Sequence, residues 1–167
     1  MSKSVRDILC LPDERLRQKA LPVSDFDAGL QELLSEMGTV MRQQSGSVGI
    51  AAPQIGENSC VILVDCSVSR RPCRNHGLLC LINPEIVSLD GDVMMGREGC
   101  LSVPDWVGMV PRSRLVHITY QDQKGDVHHL QASGFEARVI QHEVDHLHGL
   151  LFIDRMVSTH DLVRRMN

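Results

Sequence analysis

A chain of 167 residues with 43% hydrophobic and 23% charged side chains is long enough to bury a real core and has the balance of a globular protein. Seventeen basic against 21 acidic residues leave a net charge of −4, no block of like charge occurs and aromatics are only 3%, which together exclude a dedicated nucleic-acid surface. The opening MSKSVRDILCLPDERL carries charges on both sides of a very short apolar run, so it is neither a signal peptide nor a membrane span, and a cytoplasmic protein with its six cysteines reduced is expected.

ILCL at 8–11 leads into a short helix at most over 12–17, and Pro22 then breaks the chain. Ser24 with Asp27 three residues on resembles a capping box. It opens an amphipathic helix to about Gln44, with Phe26, Leu30, Leu33, Leu34, Met37, Val40 and Met41 on one side. SGSVGIAAPQIG (45–56) is small and glycine-rich. No strand precedes it and no Lys-Ser/Thr follows, so it is not a phosphate loop; it signals backbone in close approach to something. The β-branched stretch 59–65 is a strand, and the polar 67–77 is an exposed loop in which Cys73 and His76 are solvated rather than metal-bound. Cys60 and Cys66 flank that strand as small buried hydrophobes, and the absence of any C-x-x-C pair excludes a zinc ribbon or a thioredoxin-type motif.

A second strand region covers 79–89, interrupted at Asn83-Pro84, and GREGCLSVP (96–104) interrupts the pattern again. Residues 115–121 and 127–132 alternate around Lys124-Gly125 as a hairpin, with His117, His128 and His129 in ordinary strand positions. A helix over 134–148 follows, then a short amphipathic helix over 158–166 started by Ser158 or Thr159.

Within the 134–148 helix, Phe135, Val139, Ile140, Val144 and Leu147 recur at three- and four-residue spacing, as one buried face requires, and Gly149 is a natural stop. VIQHEVDHLHG contains H-E-x-x-H. Residues four apart share a face, so His142 and His146 can aim their rings at one point, while Glu143 sits about 100° round the axis. Two satisfied surface histidines are the plain alternative. The pattern itself reads as a divalent-metal site with a built-in general base.

VGIAAPQ (48–54), EGCLS (98–102) and QHEVDHLHG (141–149) together resemble, in order and separation, the three signature motifs of the peptide deformylase family. The likeness extends to ILCLPDERLR and LFIDRM and so spans nearly the whole chain. It implies one catalytic domain over 1–167, α+β in class, with mixed or antiparallel strands packed around a central metal-binding helix. It implies Cys100 as the third metal ligand beside His142 and His146, with the fourth position left for water. The ion expected is iron(II), although zinc, nickel or cobalt can occupy such sites.

The resemblance further implies Glu143 as general base and acid. It makes the Gln54 side-chain amide and the Leu101 backbone N–H the donors to the oxyanion. Val48, Gly49 and Gly99 would bind an extended peptide, and Val48, Phe135 and Val139 would wall a methionine pocket. Gln54 alone reads equally as a loop glutamine bonded to backbone, and Phe135 and Val139 as core positions. Glu98 is either a carboxylate behind the ligand loop or a surface salt bridge, and Trp106 is either part of the rim or simply packed. Ser47 stands where the family usually has glycine. The implied substrates are N-formylmethionyl peptides, releasing formate, and the ribosome is a partner by resemblance only. A zinc metallopeptidase is the rival enzyme, and it lacks an obvious downstream third ligand. A closed four-ligand zinc domain drawing on Cys73 or Cys80 is the non-enzymatic rival.

Overall fold

The computed structural model describes residues 4–166. After a 3₁₀ turn at Glu14–Arg17 comes helix α1, Ala28–Gln43. Strands β1 (Gly49–Ala51) and β2 (Val61–Asp65) are followed by two long strands, β3 (Leu78–Cys100) and β4 (Val103–Gln121), and by β5 (Val127–Ser133). Helix α2 spans Gly134–Leu147, α3 is one turn at Phe152–Arg155, and β6 is Val163–Arg164. The sheet order is β1-β2-β3-β4-β5, with β6 added to β4. Every strand pair is antiparallel, so the expected α+β class holds without a mixed sheet; the sole parallel contact among the described residues is the isolated bridge Leu21–Ser59.

The apolar run of β2 has a two-faced explanation. Ile62 and Val64 join Val116, Ile118, Ile140, Val144 and Leu147 in the core under α2, whereas Val61 and Leu63 join Leu30, Leu34, Met37 and Val40 of α1. Successive strand residues point to opposite faces, so a strand covered by a helix on each side is hydrophobic throughout.

Several local expectations change. Asp27, not Ser24, caps α1, because its carboxylate accepts from Leu30 N at 3.1 Å. The 45–56 stretch is not all loop: β1 forms there, followed by a 3₁₀ turn at Ala52–Ile55. Asn83-Pro84 does not end a strand but is a bulge inside β3. Asn83 takes a left-handed φ of 49° and uses its amide to accept from Val23 N and donate to Val23 O, which offsets the irregularity. GREGCLSVP belongs to the β3–β4 hairpin, whose tight end is the turn at Leu101-Ser102. Residues 158–166 form no helix. Ser158 caps a 3₁₀ turn at Thr159–Asp161, and β6 then pairs with Trp106–Val107, an edge of β4 that β5 does not reach. Phe135 is off the buried face of α2, with 41% of its surface exposed.

Residues 8–20 run behind these elements as a strap. Leu9 N donates to Gln54 O at 2.7 Å, Leu11 N to Ser102 O at 2.9 Å, and Ala20 N to Leu147 O at 2.9 Å. Gly149, at φ 73°, ends the turn after α2 where a side chain would collide with the Arg17 backbone. No helix among the described residues is long and apolar enough to cross a membrane.

Candidate metal centre

Helix α2 presents His142 and His146 on one face, their ring centroids 5.3 Å apart and the rings edge-on. Cys100, the last residue of β3, meets them from the hairpin end, with Sγ 3.4 Å from His146 Nε2. One donor atom each from Cys100, His142 and His146 lies within 4.8 Å of the other two. A tetrahedral ion with bonds of about 2.0–2.3 Å holds its ligands roughly 3.3–3.8 Å apart, so a small contraction closes the set. Cys73 and Cys80 are elsewhere, packed against the α2-side and α1-side cores respectively, so neither supplies a fourth ligand.

The surroundings suit a cation. Two buried side-chain atoms lack a hydrogen-bond partner among the described residues, Glu143 Oε2 and His146 Nδ1, and both belong to this cluster. Burial, with the charges of His142 and Arg112 behind it, holds His146 well below the usual histidine range, so its ring is neutral and keeps a lone pair. Burial also acts to lower His142, but hydrogen bonds with Cys100 and Glu98 and the nearby Glu143 charge outweigh it and leave it well above that range.

Glu98 sets the His142 ring. His142 Nδ1 donates to Glu98 Oε1 at 2.7 Å, which leaves Nε2 as the ring atom that faces Cys100 and His146 and that a cation would bind in place of its proton. The carboxylate is itself buried and held by both ends of Arg112 (Nε to Oε2 at 2.9 Å, Nη2 to Oε1 at 3.0 Å) and by Arg138 Nη1 at 2.7 Å. Burial would raise it, but the His142 and Arg112 hydrogen bonds prevail and bring it down to about 2. Arg112 also donates from Nη1 to Asp145 Oδ2 at 2.6 Å, and Arg155 donates to the same carboxylate at 2.9 and 3.1 Å. Arg112 therefore ties the β3 carboxylate to the helix that bears both histidines. Glu98 is no surface salt bridge.

Arg112, Arg138 and Asp145 were not among the residues singled out from sequence. A weak signal existed for Asp145, which lies inside QHEVDHLHG three residues after His142 and hence on nearly the same face. Arg112 carried none, since its partners are 14 and 33 residues away.

A cleft of about 280 Å³ opens onto the cluster. Its lining includes Val48, Gly49, Gln54, Gly99, Cys100, Leu101, Phe135, Val139, His142 and Glu143, so the structure gathers every implied ligand, catalytic and peptide-binding residue except His146, which is fully buried behind them. Trp106 does not line it; it is 39% exposed and carries the Arg164 guanidinium 5.8 Å from its ring centroid. Gln54 is locked. Its Oε1 accepts from Ala51 N at 2.9 Å, and Nε2 is thereby turned to Ser102 Oγ at 3.1 Å and Cys100 Sγ at 3.6 Å. Burial pushes the Glu143 carboxyl up to about 7, with Glu98 adding to the rise and His142 and Arg112 opposing it.

Comparison with known proteins agrees with this geometry. Residues 5–161 match the family model described as polypeptide deformylase. A peptide deformylase of Syntrophomonas wolfei is 42% identical over 93% of this chain and 96% of its own length, and peptide deformylase 3 of Shewanella oneidensis is 40% identical over 92% and 90%. The crystal structure of a Synechococcus elongatus peptide deformylase in complex with actinonin superposes with a TM-score of 0.85 at 38% identity, covering 96% of this chain and 84% of that one. The structure of the Thermotoga maritima enzyme also reaches 0.85, at 34% identity, covering 93% and 100%. With the family model matched over 5–161, relatives about 40% identical over most of the chain and solved structures superposing at a TM-score of 0.85, this chain belongs to the polypeptide deformylase family.

Proposed function

We propose that residues 1–167 form one catalytic domain that hydrolyses the formamide bond of N-formylmethionyl peptides, with Glu143 moving the protons and Cys100, His142 and His146 holding the metal. The observation that carries this reading is the buried Glu143 carboxyl, with an unpartnered oxygen, beside a three-donor cluster at the floor of an open cleft. Cys100, His142 and His146 would hold an ion whose Lewis acidity would be available to the attacking water and the formyl carbonyl. Iron(II) is the metal we assign, on the family resemblance; a thiolate beside two imidazoles suits soft or borderline divalent ions in general, zinc included.

Glu143 accepts a proton from water as its oxygen attacks the formyl carbon. A group titrating near neutrality both takes and returns a proton readily, and its position near 7 suits that double duty. The oxyanion that develops needs donors already aimed at it. Gln54 Nε2, oriented through Ala51, is one; the Leu101 backbone N–H, at the turn after Cys100, is the other. Glu143 then gives its proton to the departing amine, and the C–N bond breaks to leave formate and a free amino terminus. The methionine side chain lies against Val48, Phe135 and Val139, and the peptide backbone runs extended between Val48-Gly49 and Gly99. Nascent chains at the ribosome, in the cytoplasm, are the source of such ends.

The test is formate release from a formyl-methionyl peptide by anaerobic protein supplied with iron(II), beside an unformylated peptide of the same sequence. Release of formate without cleavage of the second peptide is expected. Cleavage of internal bonds, or no turnover with metal bound, refutes the reading.

A further inference from the structure

The cleft mouth carries positive charge that deformylation does not use. Arg97 and Arg165 both line it and are exposed, and neither guanidinium has a hydrogen-bond or ion-pair partner among the described residues. The contrast with the other arginines around the site is sharp, because Arg112, Arg138 and Arg155 are all spent on Glu98 and Asp145. Among the described residues the only acids lining the cleft are Glu98, consumed by that network, and Glu143, buried at the floor. Arg70 adds to the imbalance from the opposite side, its guanidinium 3.7 Å from where Gly46 would carry a Cβ.

Arg165 is placed there by the strand that sequence periodicity suggested was helical. β6 pairs with Trp106–Val107, and Arg165 N continues the ladder by donating to Asp105 O at 2.6 Å. Side chains alternate along a strand, so Arg164 goes to the Trp106 ring and Arg165 to the other face. There its Nη2 lies 3.3 Å from the Cβ position that Gly99 leaves empty, over the backbone against which an extended substrate would lie. Arg97 is two residues before Gly99 on the same strand, β3.

We propose that Arg97 and Arg165 are specificity-determining residues that favour formyl peptides bearing a carboxylate just downstream of the formylmethionine. That carboxylate is an acidic side chain at the second or third position, or the free α-carboxylate of a short peptide. The inference rests on the deformylase reading and on the extended path past Gly99. An exposed guanidinium–carboxylate pair gives roughly 1.5- to 5-fold in affinity, and two cations on one segment compound it. The attraction is screened, since the Debye length falls from about 10 Å at 0.1 M salt to about 3 Å at 1 M.

Formyl-Met-Ala-Glu, formyl-Met-Ala-Gln and formyl-Met-Ala-Lys, each as free acid and as carboxamide, separate the two sources of charge. Comparing Glu with Gln amides reads the side chain; comparing acid with amide of the Gln peptide reads the terminus. At low salt, at least one of these kcat/KM ratios is expected at about threefold or more, carried by KM rather than kcat, and to fall toward one in about 1 M salt. Arg165→Glu and Arg97→Glu, checked for folding by thermal melting, should each shrink or invert the ratio. Both ratios at one or below in the unaltered protein, insensitivity to salt, or unchanged ratios in both variants overturns the proposal. Equal turnover of all six peptides sinks this inference alone, whereas turnover of none sinks the deformylase reading with it.

Discussion

The Cβ that Gly49 lacks would lie 2.8 Å from Oε1 of Glu143. The same position would also meet Glu143 Cγ at 3.0 Å and Val139 Cγ1 at 3.1 Å, so β1 passes the helix with no room for a methyl group. Gly49→Ala is expected to push the carboxylate aside while the metal ligands stay. A displacement near 1 Å at a catalytic group costs on the order of 100-fold in rate. Formate release should fall by about that factor with metal content unchanged by elemental analysis; full activity means that Glu143 is not where the proton moves.

Glu143→Gln keeps the shape and removes the basic oxygen. Loss of a general base typically costs about 100- to 10,000-fold. We expect kcat to drop within that range, bound metal to persist, and the drop to remain across pH 6–9 (about the working range of such a base).

Cys100→Ser replaces the one sulfur donor with a poor ligand. The variant should lose most of its metal on dialysis against a mild chelator under conditions in which the unaltered protein retains it. Metal content is the readout, and equal retention removes Cys100 from the ligand set.

Arg112 is 5% exposed and bridges Glu98 to Asp145, so Arg112→Ala leaves two carboxylates buried without their main counter-charge. Breaking a buried pair from one side costs about 3–5 kcal/mol. Arg155 is 49% exposed and faces the same Asp145, and its loss should cost about 1 kcal/mol or less. Denaturant unfolding of the two variants distinguishes them, and equal effects would mean that the network is not what holds α2 to the hairpin.

Glu98 titrates at about 2 in the folded protein against an ordinary 4.5. A carboxyl whose pKa is depressed by folding stabilises the protein while ionised, so its contribution is complete above about pH 4.5 and fades as pH falls toward about 2. Unfolding midpoints should therefore decline through that window, and Glu98→Gln, though less stable, should show a shallower decline. An identical slope in the variant assigns the acid sensitivity to other groups.

How much of this was legible beforehand varies with distance along the chain. His142 and His146 announce themselves because four residues on a helix is a local geometry, and Gly149 because its turn is local too. Cys100 is 42 residues before His142; no spacing rule joins them, and only the family likeness did. β3 and β4 looked broken because Asn83, Pro84, Gly91, Gly96 and Pro111 punctuate them. The hairpin absorbs Asn83, Pro84 and Gly91 at register shifts and keeps Gly96 and Pro111 in regular register opposite Val110 and Met95, which a single strand's pattern does not reveal. Phe135 fits the helical period of the buried face, yet it sits in the first turn of α2 where the helix emerges at the cleft. Residues 158–166 had helical periodicity, but an open edge of β4 offered their backbone better partners.

The strap over 8–20 touches the Gln54 turn, the turn after Cys100 and the end of the histidine helix through main-chain bonds from Leu9, Leu11 and Ala20. Main-chain bonds are indifferent to which side chain is attached but strict about how many residues separate them. Apolar substitutions at the half-buried Leu9 and Leu11 should therefore be tolerated far better than a single insertion between Leu11 and Ala20, although Ala20 itself, 3% exposed in the core, has no room for a larger side chain. Such an insertion would shift the end of the histidine helix against the Gln54 turn and the turn after Cys100, without altering any residue that takes part in the chemistry.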